Sequence, residues 1–329
     1  MAHEHGTASE HDHGQRHDHE HSEHGHDHHR IGGHNHAPKD FGLAFAIGIA
    51  LNTAYVLAEV FYGIAAHSLA LLADAGHNLG DVLGLGGAWL AAILIKRRPT
   101  GRYTYGLGGA SILAALGNAV LLLVVTGGIG WEAIRRLLHP EPSGGTTIMV
   151  VSAVGIAVNG ITALLFASGR KGDLNIKGAF LHMASDAVLA AGVVVAGGLI
   201  LLTGWQWLDP AVSLVVSVVI VIGTWSLLRD SVNLALGAVP PGIERERIAT
   251  FLRGLPGVAE VHDLHIWGMS TTQVALTAHL VRPDAAMDDD LLHDAAQHLK
   301  ATFGIGHATL QVESGTGAHP CTLRPDEIV

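Results

Sequence analysis

Between Phe41 and Leu228 the chain carries six apolar runs, at about 42–66, 69–95, 108–134, 147–168, 178–202 and 209–228. Each is near the roughly 20 residues that carry a helix across a bilayer. The mean hydropathy over 329 residues is +0.35 although the first forty residues are almost entirely polar, so the apolar residues are concentrated in these runs. The reading is a polytopic membrane protein of six transmembrane helices. The start, MAHEHGTASEHDHG, has no basic segment followed by an apolar core, and the first run is therefore expected to be an uncleaved span.

Three regions differ in composition. Residues 1–40 hold 13 of the 24 histidines, mixed with Asp, Glu and Gly, and have too few apolar residues to fold. Residues 41–229 are the membrane domain. Residues 230–329 read as soluble. There PGIERERIATFLRGL and MDDDLLHDAAQHLKATF have helical patterns, and VAEVHDLHIWGM, TTQVALTAHLV and HATLQVES alternate as strands. The order αββαβ predicts a small α+β domain with helices on one face of a sheet.

Loop charge sets the orientation. KRRPTGRY after the second span holds Lys96, Arg97, Arg98 and Arg102, and SGRKGDLNIKG after the fourth holds Arg170, Lys171 and Lys177. These loops are expected to be cytoplasmic. The opposite connections carry no Lys or Arg, although Arg135 and Arg136 lie just before one of them and weaken the contrast. Six spans then place both termini in the cytoplasm. Trp89, Trp131, Trp205, Trp207 and Trp225 lie near the predicted helix ends, where either interfacial anchoring or simple packing accounts for them. The single cysteine, Cys321, excludes an internal disulfide.

The second run, LLADAGHNLGDVLGLGGAWLA, contains charges that cost at least about 2.5–3.5 kcal/mol each at a bilayer centre. His77 and Asp81 are four residues apart and so share one helix face. The fifth run repeats the spacing with His182 and Asp186. Two such helices facing each other supply two nitrogens and two oxygens, which suits tetrahedral zinc best, then cobalt(II) and after it cadmium; calcium and magnesium want more oxygens. Because a metal needs neutral imidazole and ionised carboxylate, such a site exchanges metal for protons. Asp74, on nearly the same face as His77, has no counterpart in the fifth run and is read as a pathway or structural residue. Asn52, Glu59 and Asn118 are expected to line the polar interior or bond between helices.

With these residues in view, the chain resembles the cation diffusion facilitator family. The resemblance rests on the two His-Asp pairs, on YTYGLGGASILAALGNA, on NIKGAFLHMASDA and on GVAEVHDLHIW, and covers nearly everything after residue 40. It implies a homodimer in the cell's inner (plasma) membrane, with six helices per subunit and a cytoplasmic ferredoxin-like domain, exporting divalent metal for protons. His-Asp on both helices is similar to the zinc branch, some members of which carry cobalt or cadmium. The resemblance also implies a cytoplasmic, regulatory zinc site on His262, His279, His293 and Glu313, with Gln311 where relatives with a dinuclear site have histidine. His262 and His279 face one another only if their strands are in register. His265, three positions after His262, is expected to point to the other face and to be structural.

The histidine-rich tail is expected to bind zinc, nickel or copper loosely and raise metal near the entrance. Transported zinc, cobalt or cadmium is the only metal implied besides the regulatory ion. No prosthetic group and no nucleic-acid partner are expected. Export of cobalt, cadmium or nickel, or metal sensing without transport, are the alternatives. An intramembrane metalloenzyme is disfavoured because His-Glu-x-x-His is missing and the four ligands look closed.

Overall fold

The computed structural model describes residues 43–167, 174–283, 289–316 and 321–324. The histidine-rich tail, residues 41 and 42 at the start of the membrane domain, and Arg170 and Lys171 lie outside the described residues. Six long helices come first: α1 (Leu43–Ala65), α2 (Leu69–Ile95), α3 (Ala110–Leu138), α4 (Gly145–Ala167), α5 (Leu174–Thr203) and α6 (Leu208–Ala235). Those from α2 to α6 are long and apolar enough to cross a membrane, and α1, at 23 residues, has the same reach.

Burial is arranged as a hydrocarbon solvent dictates. Leu202 is 86% and Leu164 73% exposed, while Glu59, Asp74, Asn78, Asp186 and Asp209 are all buried. Apolar side chains face outward towards lipid, and polar ones, which hydrocarbon cannot solvate, face each other inside. The five tryptophans near the span ends are all exposed, which favours interfacial anchoring over packing.

Helix α2 packs on α1, α3 and α6, α4 pairs with α5, and α2 meets α5 over a short stretch. The α4–α5 crossing is close because both helices present glycine: a Cβ on Gly197 would lie 3.0 Å from the Gly145 carbonyl oxygen and 3.0 Å from the Met149 nitrogen. The start of α2 is fixed by Ser68, its N-cap, whose hydroxyl accepts the Leu71 N–H. Asp209 of α6 completes this cap, accepting from Ser68 Oγ at 2.5 Å, Leu69 N at 2.8 Å and Ala70 N at 3.3 Å. Arg135 and Arg136 are held by Glu132 at 2.7 and 3.1 Å, and Arg136 also donates to the His67 carbonyl. Their charge is thus partly neutralised locally.

The remaining elements are α7 (Arg245–Arg253), β1 (Glu260–Gly268), β2 (Val274–Val281), α8 (Asp289–Phe303) and β3 (Ile305–Glu313). This is the αββαβ order that the alternation predicts. The sheet order is β1-β2-β3, antiparallel then parallel. The parallel pair requires a crossover, which α8 supplies; Gly304, at φ 72°, makes the left-handed turn from α8 into β3. Ile248 and Leu252 of α7 and Leu299 of α8 pack on Leu264, Ile266, Leu276 and Leu280, so both helices cover one face of the sheet. The other face carries the polar residues of interest.

The two parts join at the loop between α2 and α3. Ser111 Oγ donates to the Gly108 carbonyl at 2.8 Å and accepts the Thr271 N–H at 3.0 Å. A Cβ on Gly108 would come within 3.0 Å of the Met269 carbonyl. The basic loop Lys96–Arg102 and the αββαβ domain therefore lie at the same end of the molecule.

Candidate metal centres

The i, i+4 spacing puts His77 and Asp81 on one face of α2 and His182 and Asp186 on one face of α5. Where these helices meet, the contacts cross between them. His77 Nε2 lies 3.0 Å from Asp186 Oδ1, and His182 Nε2 lies 3.2 Å from Asp81 Oδ2. The contacts along each helix are longer, 4.0 Å from His77 to Asp81 and 3.7 Å from His182 to Asp186. The two rings stand edge to face, with centroids 5.9 Å apart. Zinc bonds of about 2.0–2.2 Å to nitrogen and oxygen place tetrahedral donors about 3.3–3.5 Å apart. The four observed separations bracket that value; His77, His182 and Asp186 have donor atoms all within 4.8 Å of one another, while Asp81 approaches through His182 and lies outside that tighter group. Among the described residues, Asp186 Oδ2 is buried without a hydrogen-bond partner, an orphaned acceptor in a position that an ion would satisfy.

The neighbours of His77 hold it in place. Asn78 donates to Glu59 of α1 at 2.9 Å, and Asn118 of α3 donates to the Gly80 carbonyl at 3.0 Å. Glu59 and Asn118 thus bond between helices, at positions next to His77 in α2 and three residues beyond it. A side chain on Gly80 would meet Leu122 at 2.9 Å, so α2 and α3 are in close contact beside the site. Asp74 is buried and lies outside the His77, His182 and Asp186 group.

A second cluster lies on the sheet face opposite α7 and α8. His262 pairs directly with His279 across β1 and β2, so the register condition is met, and the rings stand 5.2 Å apart. His279 Nδ1 is 2.9 Å and His262 Nε2 is 3.7 Å from Glu313 Oε1. The expected direction of His265 is corrected by the structure. A bulge between His262 and His265, with Asp263 at φ 50°, adds a residue and reverses the alternation. His265 therefore shares the face of His262, where its Nε2 meets Asp263 at 2.8 Å. His293 does not join the group. It is exposed on α8, which packs on the other face of the sheet through Leu299. Gln311 turns its amide to Glu313, donating at 2.9 Å.

In place of His293 the cluster holds Cys321, whose Sγ is 3.4 Å from His279 Nδ1. Arg324, in the same short turn, forks onto Glu260 at 3.1 and 2.6 Å. That contact lowers the Glu260 carboxyl below its usual range. Cys321 sits eight residues beyond the last strand, and no periodicity links it to the sheet. Asp209 was equally hidden, although an acidic residue opening an apolar run hints at a cap.

Comparison with known proteins gives a consistent picture. The family model for the cation efflux transmembrane domain matches residues 45–234, and that for the cation efflux protein cytoplasmic domain matches residues 240–315. The metal cation efflux system protein CzcD of Cupriavidus metallidurans is 37% identical over 269 residues, 81% of this chain and 85% of the relative. Zinc transporter ZitB of Escherichia coli is 37% identical over 274 residues, 82% and 86% of the two chains. A cadmium, cobalt and zinc/H(+)-K(+) antiporter of Bacillus subtilis is 32% identical over 277 residues, 83% and 89%.

Proposed function

The chain belongs to the cation efflux (cation diffusion facilitator) family, and from that premise we propose that it exports divalent metal, zinc foremost, in exchange for protons. The observation that carries the reading is the crossed set of His77, Asp81, His182 and Asp186 on two apolar helices. Two imidazoles and two carboxylates give the nitrogen–oxygen shell that zinc accepts with little strain and that cobalt(II) and cadmium also tolerate.

Proton exchange follows from the same atoms. When the carboxylates are ionised they can only accept, and the 3.0 and 3.2 Å contacts then require a ring N–H at each Nε2. Zinc needs those Nε2 lone pairs. Metal and protons therefore occupy the site in alternation, and an inward proton gradient drives metal out if the site opens to each side in turn. The proposal includes a homodimer in the cytoplasmic membrane with both termini in the cytosol. It also includes a regulatory zinc site on His262, His279 and Glu313.

The test is flux in vesicles reconstituted with the purified protein, with zinc, cobalt, cadmium, nickel and manganese compared under one imposed pH gradient. Zinc is expected to move fastest and manganese slowest. Metal binding without flux of any of the five would make the protein a sensor and overturn the proposal.

A further inference from the structure

We propose that Cys321 is a ligand of the cytoplasmic site, so that a divalent metal there is bound by its thiolate together with His262, His279 and Glu313. The inference rests on the proposed regulatory site and goes beyond it by adding a sulfur donor from outside the sheet. Donor atoms of the four side chains lie within 4.8 Å of one another. The Sγ to Nδ1 separation of 3.4 Å and the His262 to Glu313 separation of 3.7 Å are close to the roughly 3.3–3.6 Å between donors around tetrahedral zinc.

An independent observation points the same way. His262 is 3% exposed, and neither of its ring nitrogens has a hydrogen-bond partner among the described residues. A neutral imidazole has one donor and one acceptor nitrogen. Leaving both unmet in a buried position is unfavourable, because each has given up its hydrogen bonds to water. The cost is removed in part if Nε2, which faces Glu313, binds an ion.

The remaining contacts account for the tail's position. Arg324 holds the turn to Glu260 at the start of β1, while Cys321 reaches His279 on β2. Metal binding deprotonates the thiol and forms the metal–sulfur bond, releasing one proton. A thiolate shifts the preference towards zinc, cadmium and cobalt over manganese and magnesium.

Because Cys321 is the only cysteine, a sulfur-to-cobalt charge-transfer band in the full-length protein has one source. Cobalt(II) is titrated under a non-thiol reductant into wild type, Cys321→Ser, Glu313→Gln and His262→Ala. Alkylation of Cys321 is followed in parallel with and without zinc. The expected result is a near-ultraviolet band in wild type, lost in Cys321→Ser and weakened in Glu313→Gln. Zinc at roughly ten times its dissociation constant is expected to slow alkylation about tenfold. Cobalt that depends on His262 and Glu313 but gives no such band would overturn the thiolate ligand and leave the regulatory site standing. Cobalt binding that ignores His262, Glu313 and Cys321 alike would overturn both. Cys321 is half-buried and lies outside the sheet, which keeps the serine variant informative should His262→Ala fail to fold.

Discussion

Replacing Asp209 with alanine is expected to destabilise the membrane domain more than loss of any single ligand. The carboxylate accepts from one hydroxyl and two backbone N–H groups at the start of α2, and alanine leaves all three without it. Two buried amide donors cost about 1–3 kcal/mol each, with about 1 more for the hydroxyl. Water reaches helix ends more easily than helix centres, which places the sum near its lower end, at about 3–4 kcal/mol. At about 2–4 °C per kcal/mol, a scale taken from soluble domains, the unfolding midpoint falls by about 6–16 °C. His77 lies eight residues beyond Leu69, about 12 Å along the helix, so the metal site survives in the folded fraction. Thermal unfolding in detergent, followed by tryptophan fluorescence with and without zinc, checks this. Asp209→Asn keeps one oxygen acceptor and should fall between the two. An Asp209→Ala protein that melts with wild type would refute the capping argument, and one that melts early but no longer gains stability from zinc would refute the independence of the site.

Changing His77 to aspartate is expected to relax the zinc preference towards cadmium or manganese, since an oxygen and a further negative charge replace a nitrogen. The same change should flatten the pH dependence of flux: metal binding strengthens as rising pH strips protons from the imidazoles, and one imidazole is gone. Flux of each metal over a pH series reads both effects. Deleting residues 1–36 is expected to leave flux at saturating zinc intact and weaken it at low zinc, as concentration curves for the two proteins will report. Gly197→Leu should force α4 and α5 apart, costing about 1–3 kcal/mol, visible as a lower unfolding midpoint; unchanged melting would mean that the crossing relaxes freely.

The membrane helices were legible because hydropathy and span length are properties of single segments; the six runs and helices α1 to α6 agree to within a few residues at nearly every end. The crossed ligand set was half legible. Spacing puts His77 beside Asp81 and His182 beside Asp186, but the shorter contacts, His77 to Asp186 and His182 to Asp81, depend on how two helices meet. In the αββαβ domain, the parity rule failed at Asp263 because one left-handed residue reverses the alternation. The carry-over of His293 placed a ligand on a helix that packs against the opposite face. Cys321 and Asp209 act through contacts between segments distant in sequence, which no periodicity encodes.

Coupled zinc and proton movement through the four crossed side chains is tested most directly by recording both ions in the same vesicles, for wild type and Asp186→Ala. Asp186 is buried and lies 3.0 Å from His77 Nε2. Wild type is expected to move zinc one way and protons the other in a fixed ratio, and folded, inserted Asp186→Ala to move neither. Zinc flux at the wild-type rate in Asp186→Ala, or zinc flux in wild type without proton counterflow, would contradict the account.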